Sequence, residues 1–138
     1  MNPPAAGYSG TPLAKKLGIG AGARVLVKNA PKNYSELVSP LPENVRFEKA
    51  LTKETDIVHI FSERKAVLRA ELERLRSSMK SSGVIWVSWP KKASKVPTDI
   101  TEYTIRDCAL PIGLVDIKVC AVSEVWSGLK LVIRKELR

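Results

Sequence analysis

Gly83-Val84-Ile85-Trp86-Val87-Ser88-Trp89-Pro90-Lys91-Lys92-Ala93-Ser94-Lys95 is the stretch whose reading decides the fold. Apart from Ser88, the run from Val84 to Trp89 is apolar, and it is rich in β-branched and aromatic side chains. A short run without alternation is how a strand reads when both faces are covered, as in the interior of a parallel sheet. Pro90 is expected to stop the pairing. Lys91, Lys92 and Lys95 then make the exit cationic. The expectation is a buried strand that opens into a cationic loop.

Immediately upstream, the spacing predicts a helix over about Glu63 to Ser82. Val67, Leu68, Leu72, Leu75 and Met79 share one face, with Ser62 as its cap and Gly83 as its stop. Arg69, Glu71, Glu73, Arg74 and Arg76 form the other face and are expected in water. Asp56 to Phe61 precedes this helix and reads as a second interior strand. His59 lies inside it and is expected to be buried and hydrogen-bonded. No serine or cysteine can be paired with it from sequence, so a nucleophilic triad has no support.

Further upstream, Arg24 to Lys28 reads as the first strand, with Asn29-Ala30-Pro31-Lys32-Asn33 as its exit. Tyr34 to Val38 is expected as a short helix capped by Asn33 or Ser35, and Val45 to Glu48 as a weak strand. Before all of these, Thr11 to Leu17 has a capping threonine and Pro12 at the first helical position. Gly18-Ile19-Gly20-Ala21-Gly22 invites comparison with a nucleotide-binding glycine loop. Such a loop follows the first strand and leads into a helix whose N-terminus meets the ligand's charge. Here the glycines come before the strand, so they read as a turn.

Downstream, a helix is expected from Thr98 or Asp99, with Asp99 and Glu102 at capping-box spacing. Ile100, Tyr103 and Ile105 would supply its contacts, and Pro111 and Gly113 would end it. Leu114 to Val122 alternates, with Ile117, Val119 and Ala121 on one face and Asp116, Lys118 and Cys120 on the other; Leu129, Leu131 and Ile133 alternate with Lys130, Val132 and Arg134, and Glu124 to Gly128 is the turn between them. That pattern suits an antiparallel hairpin with one polar face.

Strands alternating with helices imply a parallel sheet covered on both sides. Numbered in chain order, the strands are expected as 2-1-3-4-6-5. This is an α/β, Rossmann-like three-layer sandwich of about six strands, with a C-terminal antiparallel hairpin. It is similar in order to the second half of a class I methyltransferase-like Rossmann fold. The segment from Glu48 to Asp56 is short for a helical crossover, so a bare loop must carry it. One domain over residues 11–138 is expected, preceded by a loose arm over residues 1–10.

The chain has 138 residues, with 23 Lys and Arg against 14 Asp and Glu, a formal charge of +9. Such an excess favours polyanionic partners without naming one. Two cysteines, Cys108 and Cys120, and one histidine cannot build a tetrahedral Cys/His zinc site alone. No signal peptide or long apolar run is visible, and the thiols read as free. A cytoplasmic protein without membrane contact is therefore expected.

Several stretches together carry a family likeness: Ser9-Gly10-Thr11-Pro12-Leu13-Ala14-Lys15-Lys16-Leu17-Gly18-Ile19, Asn29-Ala30-Pro31, Trp89-Pro90-Lys91-Lys92-Ala93-Ser94, Thr98-Asp99, Gly113-Leu114-Val115-Asp116 with Lys118-Val119-Cys120-Ala121, and Trp126-Ser127-Gly128-Leu129-Lys130. The chain resembles a bacterial family known only as domain of unknown function 3052. That resemblance implies a small bacterial protein and carries no activity.

In open α/β sheets, ligands bind beyond the carboxyl ends of the strands. There the sequence offers Asn29, Lys32, Ser62, Trp89, Lys91, Lys92 and Lys95, with lysines for phosphate and Trp89 as a stacking face. The main expectation is a non-catalytic module that binds an anionic small molecule or a partner protein, with no cofactor. The alternatives are a degenerate S-adenosylmethionine-dependent methyltransferase, with Glu48 as the acid for the ribose, and a weak nucleic-acid binder. An exposed edge strand could also pair across a dimer.

Overall fold

The computed structural model describes residues 10–138; residues 1–9, where most of the expected arm falls, lie outside the described part. The elements in chain order are α1 (Leu13–Lys16), β1 (Arg24–Lys28), α2 (Tyr34–Leu37), β2 (Arg46–Glu48), β3 (Ile57–Phe61), α3 (Lys65–Ser78), β4 (Val84–Pro90), α4 (Glu102–Ala109), β5 (Leu114–Ala121) and β6 (Trp126–Ile133). They form one six-stranded sheet in the order β2-β1-β3-β4-β6-β5. The first four strands in that order are parallel, and β6 runs antiparallel to both β4 and β5. The expected topology is the observed one. The segment between β2 and β3 is indeed a bare loop, turned at Thr52 to Thr55 by the Thr55 hydroxyl, which accepts the Thr52 amide at 3.0 Å.

β3 is buried along its whole length, and β4 along all but its first residue. Their alternate side chains feed two cores. On one side Val58, Ile60, Ile85, Val87, Leu129 and Leu131 meet Leu68, Leu72 and Leu75 of α3 and Ile105 of α4. On the other side Val25, Ile57, Phe61 and Trp86 meet Leu13, Ala14, Leu17, Tyr34 and Val38. Two four-residue helices are the regular elements on that second face, so Trp86 supplies much of its filling. Its indole is fully buried, and its Nε1–H donates to the carbonyl of Leu17 at 2.9 Å.

Several local expectations need correction. Val67 is 57% exposed and Tyr103 75% exposed, because each sits just off the stripe its helix turns to the core. Glu71 is not in water. It is 6% exposed, and its carboxylate accepts from Lys28 of β1 at 3.1 Å and from Arg74 one turn on. Ile117 and Val119 are half exposed on β5, where the ladder slips between Asp116 and Lys118 and the strand forms the sheet edge. No helix among the described residues is long and apolar enough to cross a membrane.

Candidate functional site at the carboxyl edge of the sheet

The strand order changes direction between β1 and β3, which makes the carboxyl ends of these two strands the switch point. Asn29 follows β1 directly and adopts a left-handed backbone conformation, φ 60°. Asparagine tolerates that region better than most residues with a side chain. Its Nδ2 donates across the switch point to the carbonyl of Phe61, the last residue of β3, at 3.4 Å. Ala30, Pro31 and Lys32 then lead into α2, with Ala30 and Lys32 exposed. The turn a glycine makes in a nucleotide-binding loop is here made by an asparagine.

Ser62 is 8% exposed, and its amide donates to the carbonyl of Ser88 in β4 at 2.9 Å. It does not cap α3. The N-cap position falls on Arg64, and the cap comes from another loop, since the Lys65 amide donates to Oδ1 of Asp99 at 2.6 Å. Thr98 Oγ1 and the Asp99 amide both donate to the carbonyl of Glu63, at 2.8 and 3.3 Å. The loops after β3 and β4 are therefore stitched together, around a cavity of about 460 Å³ lined by Glu63, Arg64, Pro97, Thr98 and Asp99. With Asp99 committed to α3, the expected capping box gives way to Thr101, whose hydroxyl accepts the amide of Thr104 at 3.3 Å. Asp99→Ala should lower stability by about 1 kcal/mol, the usual worth of an N-cap. For a chain of this size that is about 4 °C in Tm. A thermal melt followed by circular dichroism reads it directly, and an unchanged Tm would show the cap to be idle.

The remaining predicted residues divide. Trp89 is 8% exposed and belongs to the core beneath α3 and α4, so the expected stacking face is spent on packing. Lys91 is half-buried, and its amide donates to the carbonyl of Val125 at 2.7 Å. Lys92 and Lys95 are exposed on a short turn, where Lys95 is left-handed at φ 61°. Asn29, Lys32, Ser62 and Lys91 thus lie along one edge, while Trp89 faces inward.

His59 is buried and hydrogen-bonded, as expected, but its partners, in a buried polar chain just below that edge, were missed by sequence reasoning. Tyr34 Oη lies 3.0 Å from Nδ1 of His59, and Nε2 of His59 lies 2.7 Å from Oγ of Ser88. The imidazole also stacks on Phe61, with ring centroids 4.4 Å apart. Burial pushes the His59 pKa down to about 3, so the ring is neutral at physiological pH. A neutral ring has one N–H, so one nitrogen donates and the other accepts, and the two hydroxyls take the complementary roles. Burial pushes the Tyr34 phenol up. His59 and Ser88 are fully buried, so no substrate meets them and the group is structural. Nothing in the spacing of residues 34, 59 and 88 signals it.

Glu48 does not serve as an acid at the edge. It pairs in register with Leu26, while β1 continues to Lys28. Its carboxylate accepts from Thr55 Oγ1 at 2.7 Å and lies 3.8 Å from Arg24, residues that precede β3 and begin β1. The carboxylate is therefore engaged toward the opposite edge. The glycines of the early turn lie there too: Gly18 and Gly22 have φ of 79° and 75° and border a cavity with Asp56, Ser82 and Lys130. Among the described residues, no cluster of three His, Cys, Asp or Glu side chains is placed to hold a metal.

No family model matches the sequence, and no curated protein matches it. Solved structures do match, over nearly the whole chain. A S-adenosylmethionine-dependent methyltransferase from Aquifex aeolicus superposes with a TM-score of 0.62 at 15% identity, covering 88% of this chain and 87% of that one. A DhpI–SAH complex gives 0.60 at 13% identity, covering 90% and 83%. Fibrillarin from Aeropyrum pernix, with natively bound S-adenosyl-L-methionine, gives 0.55 at 12% identity, covering 87% and 73%. The fold is thus methyltransferase-like. These neighbours overturn the expectation of a non-catalytic binding module and favour its methyltransferase alternative.

Proposed function

We propose that this chain is a S-adenosylmethionine-dependent methyltransferase with a reduced cofactor loop. One observation carries the reading. The strand order of the methyltransferase-like fold brings the β1 exit to the switch point, and Asn29 makes the left-handed turn there without a glycine.

The fit to the cofactor is partial, and it divides by chemical group. The β1 exit supplies the turn, and Lys32 and Lys92 are exposed cations in the segments that follow β1 and β4. A ribose acid at the end of β2 is lacking, because the Glu48 carboxylate is turned toward Thr55 and Arg24. Bound S-adenosylmethionine supplies an activated methyl group, and its transfer by direct displacement demands little acid–base help from the protein. The work left to the chain is binding, orientation and exclusion of water. Asn29 and the Ser62–Ser88 backbone bond hold the β1, β3 and β4 exits at fixed spacing for that task. Without the ribose contact, binding should be weaker than in a full cofactor loop.

Thermal protection tests the proposal. A ligand at ten times its Kd stabilises the fold by about 1.4 kcal/mol, or about 5 °C here. S-adenosylmethionine and S-adenosylhomocysteine should each raise Tm by that much at millimolar concentration, and adenosine by less. An unchanged Tm with both would remove the reading.

A further inference from the structure

A cavity of about 670 Å³ lies between α1 and the β5–β6 hairpin, and its lining includes none of the switch-point residues Asn29, Phe61 and Ser62. Lys15 and Lys16 reach it from α1, Lys118 and Cys120 from β5, with the hydroxyl residues Thr11 and Ser127 alongside. Among the described residues, no acidic one lines it. Elsewhere in the chain, cations meet carboxylates: Arg24, Lys28, Arg74, Lys80 and Arg106 all do. Neither Lys15 nor Lys118 is held in an ion pair with a described residue. Gathering like charges around a concave, partly apolar wall costs free energy that a bound anion would return. The cavity is placed for use as well, since Ala121 ends β5 and Ser127 pairs with Trp89 near the carboxyl end of β4.

We infer that this cavity binds a small phosphate-bearing molecule, gripped by Lys15, Lys16 and Lys118 with the Thr11 and Ser127 hydroxyls as further partners. The cavity is an open one, and its volume falls among small-molecule sites, about 300–1,000 Å³, suited to a ligand of nucleotide size. On the methyltransferase reading proposed above, on which this role rests, the bound molecule is the methyl acceptor. It enters from the hairpin side of the edge, leaving the β1–β3 switch point to the cofactor. Anion binding itself needs no cofactor, so its test stands apart from the test of that reading.

Cys120 provides the readout. It lines the cavity and is half-buried, whereas Cys108 is buried in the core at 4% exposure. Neutral iodoacetamide should therefore alkylate Cys120 first, and mass spectrometry of the peptides follows each thiol. Inorganic pyrophosphate is the probe. At ten times its Kd it should slow Cys120 alkylation about tenfold, by occupancy. The slowing should be lost in Lys15→Glu/Lys118→Glu and weakened in Lys118→Ala, which changes one exposed side chain and keeps the fold. Absence of protection in the wild type would overturn the inference. So would equal protection in the double variant, which would mark an effect of salt on the whole protein.

Discussion

His59→Ala is expected to lower the unfolding free energy by about 3–5 kcal/mol, from a cavity plus two orphaned hydroxyls. The ring is fully buried, stacked on Phe61 and hydrogen-bonded at both nitrogens, so no other group replaces what is lost. Total stability of a domain is about 5–15 kcal/mol, so the variant should sit close to unfolding. In urea the midpoint should fall by about 2 M, with the slope unchanged. A fall below about 0.5 M would show that Tyr34 and Ser88 find other partners.

The same ring fixes a pH dependence. Its pKa in the fold, about 3, lies below the unfolded value of 6.5, so the unfolded chain binds the extra proton. Stability is then full above pH 6.5 and falls as pH drops toward 3. Between pH 6 and 4.5 the slope approaches about 1.4 kcal/mol per pH unit. This is the chain's only histidine, so no other imidazole contributes. Asp56 titrates lower. Burial alone would raise its pKa, but the hydrogen bonds from Lys80 and the Arg24 amide, with their charges, hold it below the ordinary value of 3.8. Its contribution is present above 3.8 and lost as pH falls below that. In His59→Gln the slope above pH 4.5 should vanish; if it persists, another group carries it.

The second large effect is expected at Trp86. Trp86→Ala should cost about 3–5 kcal/mol, as for other fully buried large side chains. The indole does two jobs: it fills the face covered by α1 and α2, and its Nε1–H fastens α1 through the carbonyl of Leu17. Trp86→Phe keeps most of the packing and loses the hydrogen bond, worth about 1 kcal/mol. The packing is close on the strand side as well. A Cβ placed on Gly128 would lie 3.3 Å from Trp86 Cε3 and 3.0 Å from Val122 Cγ2, so the neighbouring strand has little room to fill a void at this point. Urea unfolding of both variants checks the pair. Equal losses would assign the effect to the hydrogen bond, and a much larger loss for alanine assigns it to packing.

The sheet was legible because its interior strands are continuous apolar runs. Ile57 to Phe61 and Val84 to Trp89 have no polar face to present to water, so only the middle of a parallel sheet suits them. The hairpin was legible from the alternation of Leu129, Leu131 and Ile133. Helix faces were less so: the run from Val67 to Met79 carries more apolar residues than α3 buries, and periodicity alone does not choose which to leave out. The edge was readable as a list of residues and not as an arrangement. Trp89 was an apolar residue at a strand end, and nothing local says whether such an indole turns inward. Asp99 has the local spacing of a cap for α4, yet it serves α3, 34 residues back in sequence. Tyr34, His59 and Ser88 meet only because β3 lies between β1 and β4, which a chain-order reading supplies for backbones and not for side chains. The three lysines of the cavity were scattered charges until the hairpin folded back beside α1.

The most direct test is a titration of ¹⁵N-labelled protein with S-adenosylhomocysteine, followed by amide chemical shifts. Saturable shifts clustered at Asn29, Ala30, Ser62 and Lys91 are the expected result, since those amides border the carboxyl edge where β1, β3 and β4 end. No shifts at millimolar ligand, or shifts confined to the glycine turn at residues 18–22 on the opposite edge, would contradict it.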